Sequence, residues 1–174
     1  FDDNMAIQIA QSFSAENAAL MVGIATPSAT ACYAAAEDKD IPVIFTAITD
    51  PVGAKLDSGN ITGTSDVLPV EGQLKLIRAL QPDAKTIGSV YTTSEANSVY
   101  SVNVYQEKAA DYGFTIEAVG VTAQSEVTQA VDNLIAKGVD CFSNLTDNNV
   151  VGVLGSILEK TNEAKIPVYG SEIE

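Results

Sequence analysis

The sequence predicts an α/β fold built from doubly wound parallel sheets, and three observations predict it. Apolar runs of strand length alternate with helix-period segments along almost the whole chain. Those runs are apolar on both faces, as strands are when helices cover two sides of a sheet. Short polar turns led by Thr, Ser or Asp stand where a run ends and a helix begins.

In order, residues 19–25 (ALMVGIA) read as the first strand and 27–37 as an Ala-rich helix, with Pro27 suited to its first position. Residues 41–48 (IPVIFTAI) are a second buried strand and 61–64 a short third. The helix over 69–80 places Leu74, Ile77 and Leu80 on one face. Residues 86–91 are a strand and 94–112 a long helix, ended by Gly113 in the left-handed cap position. A strand over 114–121 leads to a helix over 126–137, with Ser125 as its N-cap and a stripe of Val127, Ala130, Val131, Leu134 and Ile135. Gly138 stops that helix. A strand over 139–144, one helix over 148–164 and a strand over 166–170 complete the series.

A weak internal repeat divides the chain. Strand, Thr26-Pro27-Ser28, helix and Ile41-Pro42-Val43 recur as strand, Thr146-Asp147-Asn148, helix and Ile166-Pro167-Val168. Two similar halves predict two lobes, residues 1–67 and 68–174, with the boundary near the turn cluster that precedes Pro69.

Composition narrows the chemistry. The 174 residues are 46% hydrophobic and 18% charged, enough apolar surface to bury a core. Nine Lys+Arg against 23 Asp+Glu give a net charge of −14, which repels nucleic acid and anionic lipid. There is no histidine, so the usual general base, zinc ligand and Ser-His or Cys-His pair are all missing. Cys32 and Cys141 read as unpaired small hydrophobes, one in each half. No cofactor and no metal site are expected, and no segment reaches the ~18 apolar residues of a membrane span.

What remains is concentrated at strand ends. In open parallel sheets ligands bind beyond the carboxyl ends of the strands, where helix N-termini offer N–H groups and positive potential. Those ends here carry Thr26, Pro27 and Ser28; Thr46, Ala47, Thr49 and Asp50; Tyr91, Ser94, Glu95, Ala96 and Asn97; Asp147; and Ser171. Singly, each is an ordinary cap or turn residue. Together they suit a small zwitterion: a carboxylate at Ser28, and an ammonium at Asp147, Glu95 or main-chain carbonyls. Phe45 and Tyr91 lie close enough to strand ends to stack on an apolar side chain.

The strings FTAITDPVGA (residues 45–54), NITGTSD (60–66) and SEANS (94–98), with TPS (26–28), TDN (146–148) and IPVYGSE (166–172), resemble the ABC-transporter substrate-binding family that includes tryptophan- and tyrosine-binding lipoproteins. The resemblance spans nearly the whole chain in order. It implies a type I periplasmic-binding-protein fold, two lobes with a hinge and the ligand in the cleft. It also implies an extracytoplasmic, lipid-anchored protein acting as a monomer, with a membrane permease as partner and an aromatic amino acid as ligand. Carried over, the first-lobe residues hold the carboxylate, Ser94, Glu95, Ala96 and Asn97 form the second-lobe half, and Asp147 takes the ammonium. The resemblance implies a further strand–helix–strand unit ahead of Phe1 and a return crossover after Glu174, so the chain is expected to be incomplete, with residues 1–67 a partial lobe and residues 68–174 a lobe lacking that crossover. Tyr91-Thr92-Thr93 stands where Tyr-Asn-Pro is common. Two other readings compete: a cofactor-independent amino-acid racemase using one thiol per lobe, and the ligand-sensing lobe of a regulator.

Overall fold

The computed structural model describes residues 2–171. Phe1 and Glu172, the last residue of the IPVYGSE string, lie outside the described residues. The chain divides between Val67 and Leu68 into two compact units.

The first unit opens with a helix, α1 (Asp3–Ala15), where the sequence reading assigned no element. Asp2 caps it, its carboxylate accepting from the Met5 N–H at 3.1 Å. The pattern hid this helix because it buries small residues, Ala10 and Ser14, while Met5, Ile9 and Phe13 face outward. Next come β1 (Met21–Ile24), α2 (Ala25–Ala36), β2 (Val43–Ile48) and β3 (Ile61–Ser65). The strands are parallel in the order β1-β2-β3. Strand β1 is shorter than expected because Ala25 turns to a positive φ of 64°.

Helix α2 sits hard against β1. A Cβ built on Gly23 would lie 2.3 Å from the Ala29 Cα, so only glycine admits this approach. Ala10, Met21, Cys32, Ala36, Ile41 and Val43 fill the space between the helices and the sheet. Val22, Ile24 and Ile44, on the opposite face, remain exposed among the described residues.

The second unit comprises α3 (Val70–Leu80), β4 (Thr86–Thr92), α4 (Ala96–Lys108), β5 (Thr115–Val121), α5 (Gln124–Lys137), β6 (Cys141–Ser143), α6 (Asn148–Val151), α7 (Leu154–Ala164) and β7 (Val168–Tyr169). All four strands are parallel, in the order β5-β4-β6-β7. The chain winds outward from β4 to β5, then crosses back to β6, so its helices fall on both faces. Val70, Leu74 and Ile77 of α3 join Val102 and Tyr105 of α4 on one side. Val127, Val131 and Leu134 of α5 join Ile157 of α7 on the other. Leu74, Ile77 and Leu134 have no exposed surface, and each such side chain contributes about 1.5–3 kcal/mol.

Four local expectations change. Leu80 is 63% exposed, and Val70 completes the buried stripe of α3 instead. The long helix after residue 94 starts at Ala96, and its last turn, Ala109–Tyr112, tightens to a 3₁₀ helix before Gly113 at φ 74°. Helix α5 has Ala123 at its N-cap. Ser125 lies inside the helix, and Glu126 reaches back to the Thr122 N–H at 2.7 Å. The helix expected over 148–164 is two helices, broken at Gly152 and Val153. A Cβ at Gly152 would lie 2.3 Å from the Gln124 side-chain nitrogen, so α5 presses on the chain at the break.

Candidate functional site

Reversal of the winding puts a topological switch point between β4 and β6, the place where open α/β sheets bind ligands. Strand β4 ends at Thr92 and leads through a tight turn to α4. Strand β6 ends at Ser143 and leads to α6. The residues at these ends are polar and buried: Ser89, Thr92, Ser98, Ser101, Ser143, Asn144 and Asp147 account for seven of the ten buried polar residues described.

Asp147 is the centre of this cluster and is 1% exposed. Its carboxylate accepts from the Thr92 N–H at 2.6 Å, the Thr92 hydroxyl at 2.8 Å and, as the cap of α6, the Val150 N–H at 3.1 Å. Asn149 donates to the same Thr92 hydroxyl at 3.1 Å. Where the resemblance gives Asp147 the ligand ammonium, its carboxylate here bonds to the end of β4 and the start of α6 and is almost fully buried. Thr92, which sequence reasoning left out of the site, is its main partner. A hydroxyl on the last residue of one strand, with an aspartate just beyond the neighbouring strand, was the available signal.

Glu95 is the accessible carboxylate of the group. It is half-buried and accepts from the Asn148 N–H, 3.2 Å from each oxygen, and from the Asn148 side-chain amide at 3.2 Å. Burial, and then the charge of Asp147, push its carboxyl above the usual glutamate range, against the opposing pull of these bonds. Asn97 donates to the Thr146 carbonyl at 2.7 Å and so ties α4 to the turn before α6. Ser94 and Ala96 are exposed. Helix α4 opens without a side-chain cap, leaving first-turn N–H groups to a ligand or water. Ser98 on that turn carries the one buried side-chain oxygen without a partner among the described residues.

The other two expected residues of this unit have structural employment. The Tyr91 ring lies across Gly120 of β5, its paired residue, where an added Cβ would meet the ring at 3.2 Å. The Ser171 hydroxyl donates to the Asn144 carbonyl and accepts from the Gln73 side-chain amide at 3.1 Å.

In the first unit the strand ends carry two backbone outliers. Ala25 and Ala47 have φ of 64° and 57°, and each follows one residue of the paired couple Ile24 and Thr46. At Ala47 the pairing with β3 also slips, between Phe45 and Ile48. Two non-glycine residues at left-handed φ on neighbouring strand ends mark a place where geometry is held at a cost. Thr26, Pro27 and Ser28 are half-buried in the first turn of α2, whose N–H groups also lack a side-chain cap; Pro27 is the third helical residue, not the first. The Thr46 and Thr64 hydroxyls lie 3.1 Å apart. Thr49 is buried, and Asp50 accepts from the Gly53 N–H at 2.9 Å, closing its own turn. Phe45 is core: a Cβ on its partner Gly63 would lie 2.5 Å from the ring.

No group of three or more potential metal ligands occurs among the described residues. Cys32 and Cys141 are buried thiols, and desolvation raises both, Cys141 to about 12, leaving very little thiolate at neutral pH. No described helix is long and apolar enough to cross a membrane.

Comparisons with known proteins agree with one another. The family model for ABC transporter substrate binding proteins matches residues 1–174. A tyrosine-binding protein of Clostridioides difficile (strain R20291) is 40% identical over 170 residues, 94% of this chain and 48% of that protein. Among solved structures, an ABC domain in complex with L-Trp from Streptococcus pneumoniae superposes with a TM-score of 0.89 at 35% identity. The match covers 97% of this chain and 58% of that one. A conserved domain protein from Vibrio cholerae gives 0.88 at 38% identity, with the same coverage. The chain thus spans about half the length of the relatives it matches, and its fold is that of type I periplasmic binding proteins. With the family model matching from end to end, the chain belongs to the ABC transporter substrate-binding protein family.

Proposed function

We propose that this chain is the ligand-holding part of an extracytoplasmic solute-binding protein that serves an ABC importer, and that its ligand is an aromatic amino acid: tryptophan, tyrosine or phenylalanine. One observation carries the reading. The L-Trp-bound relative shares 35% of its residues over 97% of this chain, and the relative at 40% identity is named for tyrosine.

The chemistry of the two units supports it. In the first, the uncapped start of α2, the hydroxyls of Thr26 and Ser28, and the turned backbone at Ala47 and Thr49 suit the ligand carboxylate. In the second, Glu95 suits the ammonium, with Ser94, Ala96 and Asn97 beside it. The protein acts as a monomer, lipid-anchored outside the cytoplasm, and passes its ligand unchanged to a membrane permease. Nothing in this task needs a general base, which suits a chain without histidine.

Calorimetric titration of the chain and of the full-length protein with L-tryptophan, L-tyrosine, L-phenylalanine and L-leucine tests the reading. Saturable binding of at least one aromatic amino acid is expected, with leucine weaker by about tenfold or more, the worth of one or two kcal/mol of side-chain contact. Absence of saturable binding to all three aromatic amino acids by the full-length protein would remove it.

A further inference from the structure

We infer that Asp147 is a positioning residue: it does not touch the ligand but fixes the start of α6, and thereby holds Asn148 against Glu95, the carboxylate that receives the ammonium. The last link rests on the amino-acid reading given above; the others rest on geometry within the second unit.

The links are all within hydrogen-bond distance. The end of β4 grips Asp147 through the Thr92 N–H at 2.6 Å and the Thr92 hydroxyl at 2.8 Å. Asp147 grips α6 through the Val150 N–H at 3.1 Å. Asn148, the first residue of α6, then donates both its N–H and its side-chain amide to Glu95 at 3.2 Å. An ionised carboxylate has about four acceptor positions, and three donors already occupy Asp147. At 1% exposure it offers a ligand no approach. Glu95 has the same sign of charge, stands half in solvent, and is held only by amides. A cation arriving at this end of the sheet therefore meets Glu95 first.

The arrangement has an electrostatic side. The groups that act on Glu95 are the amides of Asn97 and Asn148 and, alone among ionisable side chains, Asp147. Burial, and then the negative charge of Asp147, keep Glu95 reluctant to ionise without a counter-charge, and a ligand ammonium supplies one.

The test compares Glu95→Gln, Asp147→Asn and Asp147→Ala in the full-length protein, titrated with L-tryptophan and L-tyrosine from acid to neutral pH. Glu95→Gln should weaken binding by about ten- to a hundredfold, the worth of a charged hydrogen bond. Asparagine can keep the cap on α6 through its one oxygen but sets a buried amide NH2 against the Thr92 N–H, so Asp147→Asn and Asp147→Ala should each lose about tenfold. In the natural protein affinity should fall as pH drops through the raised Glu95 value, and in Asp147→Asn the same fall should occur at lower pH. A residue that acts only through Glu95 has little left to lose once Glu95 is changed, so a further loss of about tenfold from Asp147→Asn in the Glu95→Gln background would make Asp147 a ligand contact and overturn the inference. So would an Asp147→Ala protein that binds normally.

A second measurement needs no ligand and covers the case in which Asp147→Ala does not fold. Carbon-13 NMR titration of the Glu95 carboxyl in ligand-free protein should give a midpoint above the ordinary glutamate value, lowered in Asp147→Asn. An unmoved midpoint overturns the coupling. Should the natural protein bind neither amino acid, the ligand reading falls and this titration still judges the placement of Glu95.

Discussion

Ala25 and Ala47 hold left-handed φ angles at the ends of adjacent strands, where an L-residue pays for the close approach of its Cβ to the backbone. The cost is of order 1–3 kcal/mol each, and Ala47 is exposed, so packing of its methyl group returns little of it. The bend it makes places the Thr46 and Thr64 hydroxyls together and buries Thr49. Replacement of Ala47 by glycine should raise stability by about 1 kcal/mol in urea titrations, because glycine adopts this conformation without strain. The same variant should bind the ligand more weakly, through a looser turn. A protein no more stable than the natural one would show that the backbone at Ala47 is not strained. Neither outlier was legible from the sequence. Both residues sit in runs that read as ordinary apolar strand, and alanine gives no sign of φ.

At the scale of elements, two side chains tie the second unit together at the amino ends of its strands. Arg78 of α3 donates to the Pro82, Ala84, Tyr112 and Gly113 carbonyls, at 2.6 to 3.2 Å, and lies 3.9 Å from the centre of the Phe114 ring. Only the planar, five-donor guanidinium can serve four carbonyls and stack on a ring at once. Arg78→Lys should therefore lower stability by about 2–3 kcal/mol, the worth of two or three charged hydrogen bonds, read as a lower urea midpoint at unchanged slope. Asp140, just before β6, accepts from the Lys85 and Thr86 N–H groups at 2.7 and 2.8 Å, which joins the starts of β4 and β6. Those two bonds hold its carboxyl below the usual aspartate range. A depressed value means that the stabilisation is present above the unfolded-state value and is lost as pH falls through the folded one. Asp140→Asn should accordingly melt lower than the natural protein at neutral pH, and the gap should close in acid. A gap that is constant with pH would show that the charge is not what matters. The sequence showed these elements through their periodicity. It did not show the ties, because Arg78 reaches Tyr112 and Gly113, 34 and 35 residues away, and Asp140 reaches Lys85, 55 residues away.

For the whole molecule the dominant number is the charge of −14 on 174 residues. Only four ion pairs are found among the described residues, and most of their side chains are substantially exposed, so they offset little of it. Self-repulsion should therefore be felt as a salt effect. The melting temperature should rise as sodium chloride is increased from about 0.05 to 0.5 M, over which the Debye length falls from roughly 14 to 4 Å. A melting temperature that falls over this range would mean that attractive pairs outweigh the excess negative charge.

The sequence by itself determined the class of fold, the order of nearly all elements, the family, and the set of strand ends at which polar residues collect. These are properties of pattern: the period of apolar residues, the turn chemistry at junctions, and strings such as SEANS and FTAITDPVGA. Only the tertiary structure decided what each polar residue is for. Asp147 and Glu95 are both acidic, and both stand at a strand–helix junction. One is buried beneath three donors, and the other faces solvent beside two amides. The difference lies in burial and in partners about fifty residues distant along the chain. Ionisation, hydrogen bonding and access to a ligand follow from those surroundings, and local sequence does not encode them.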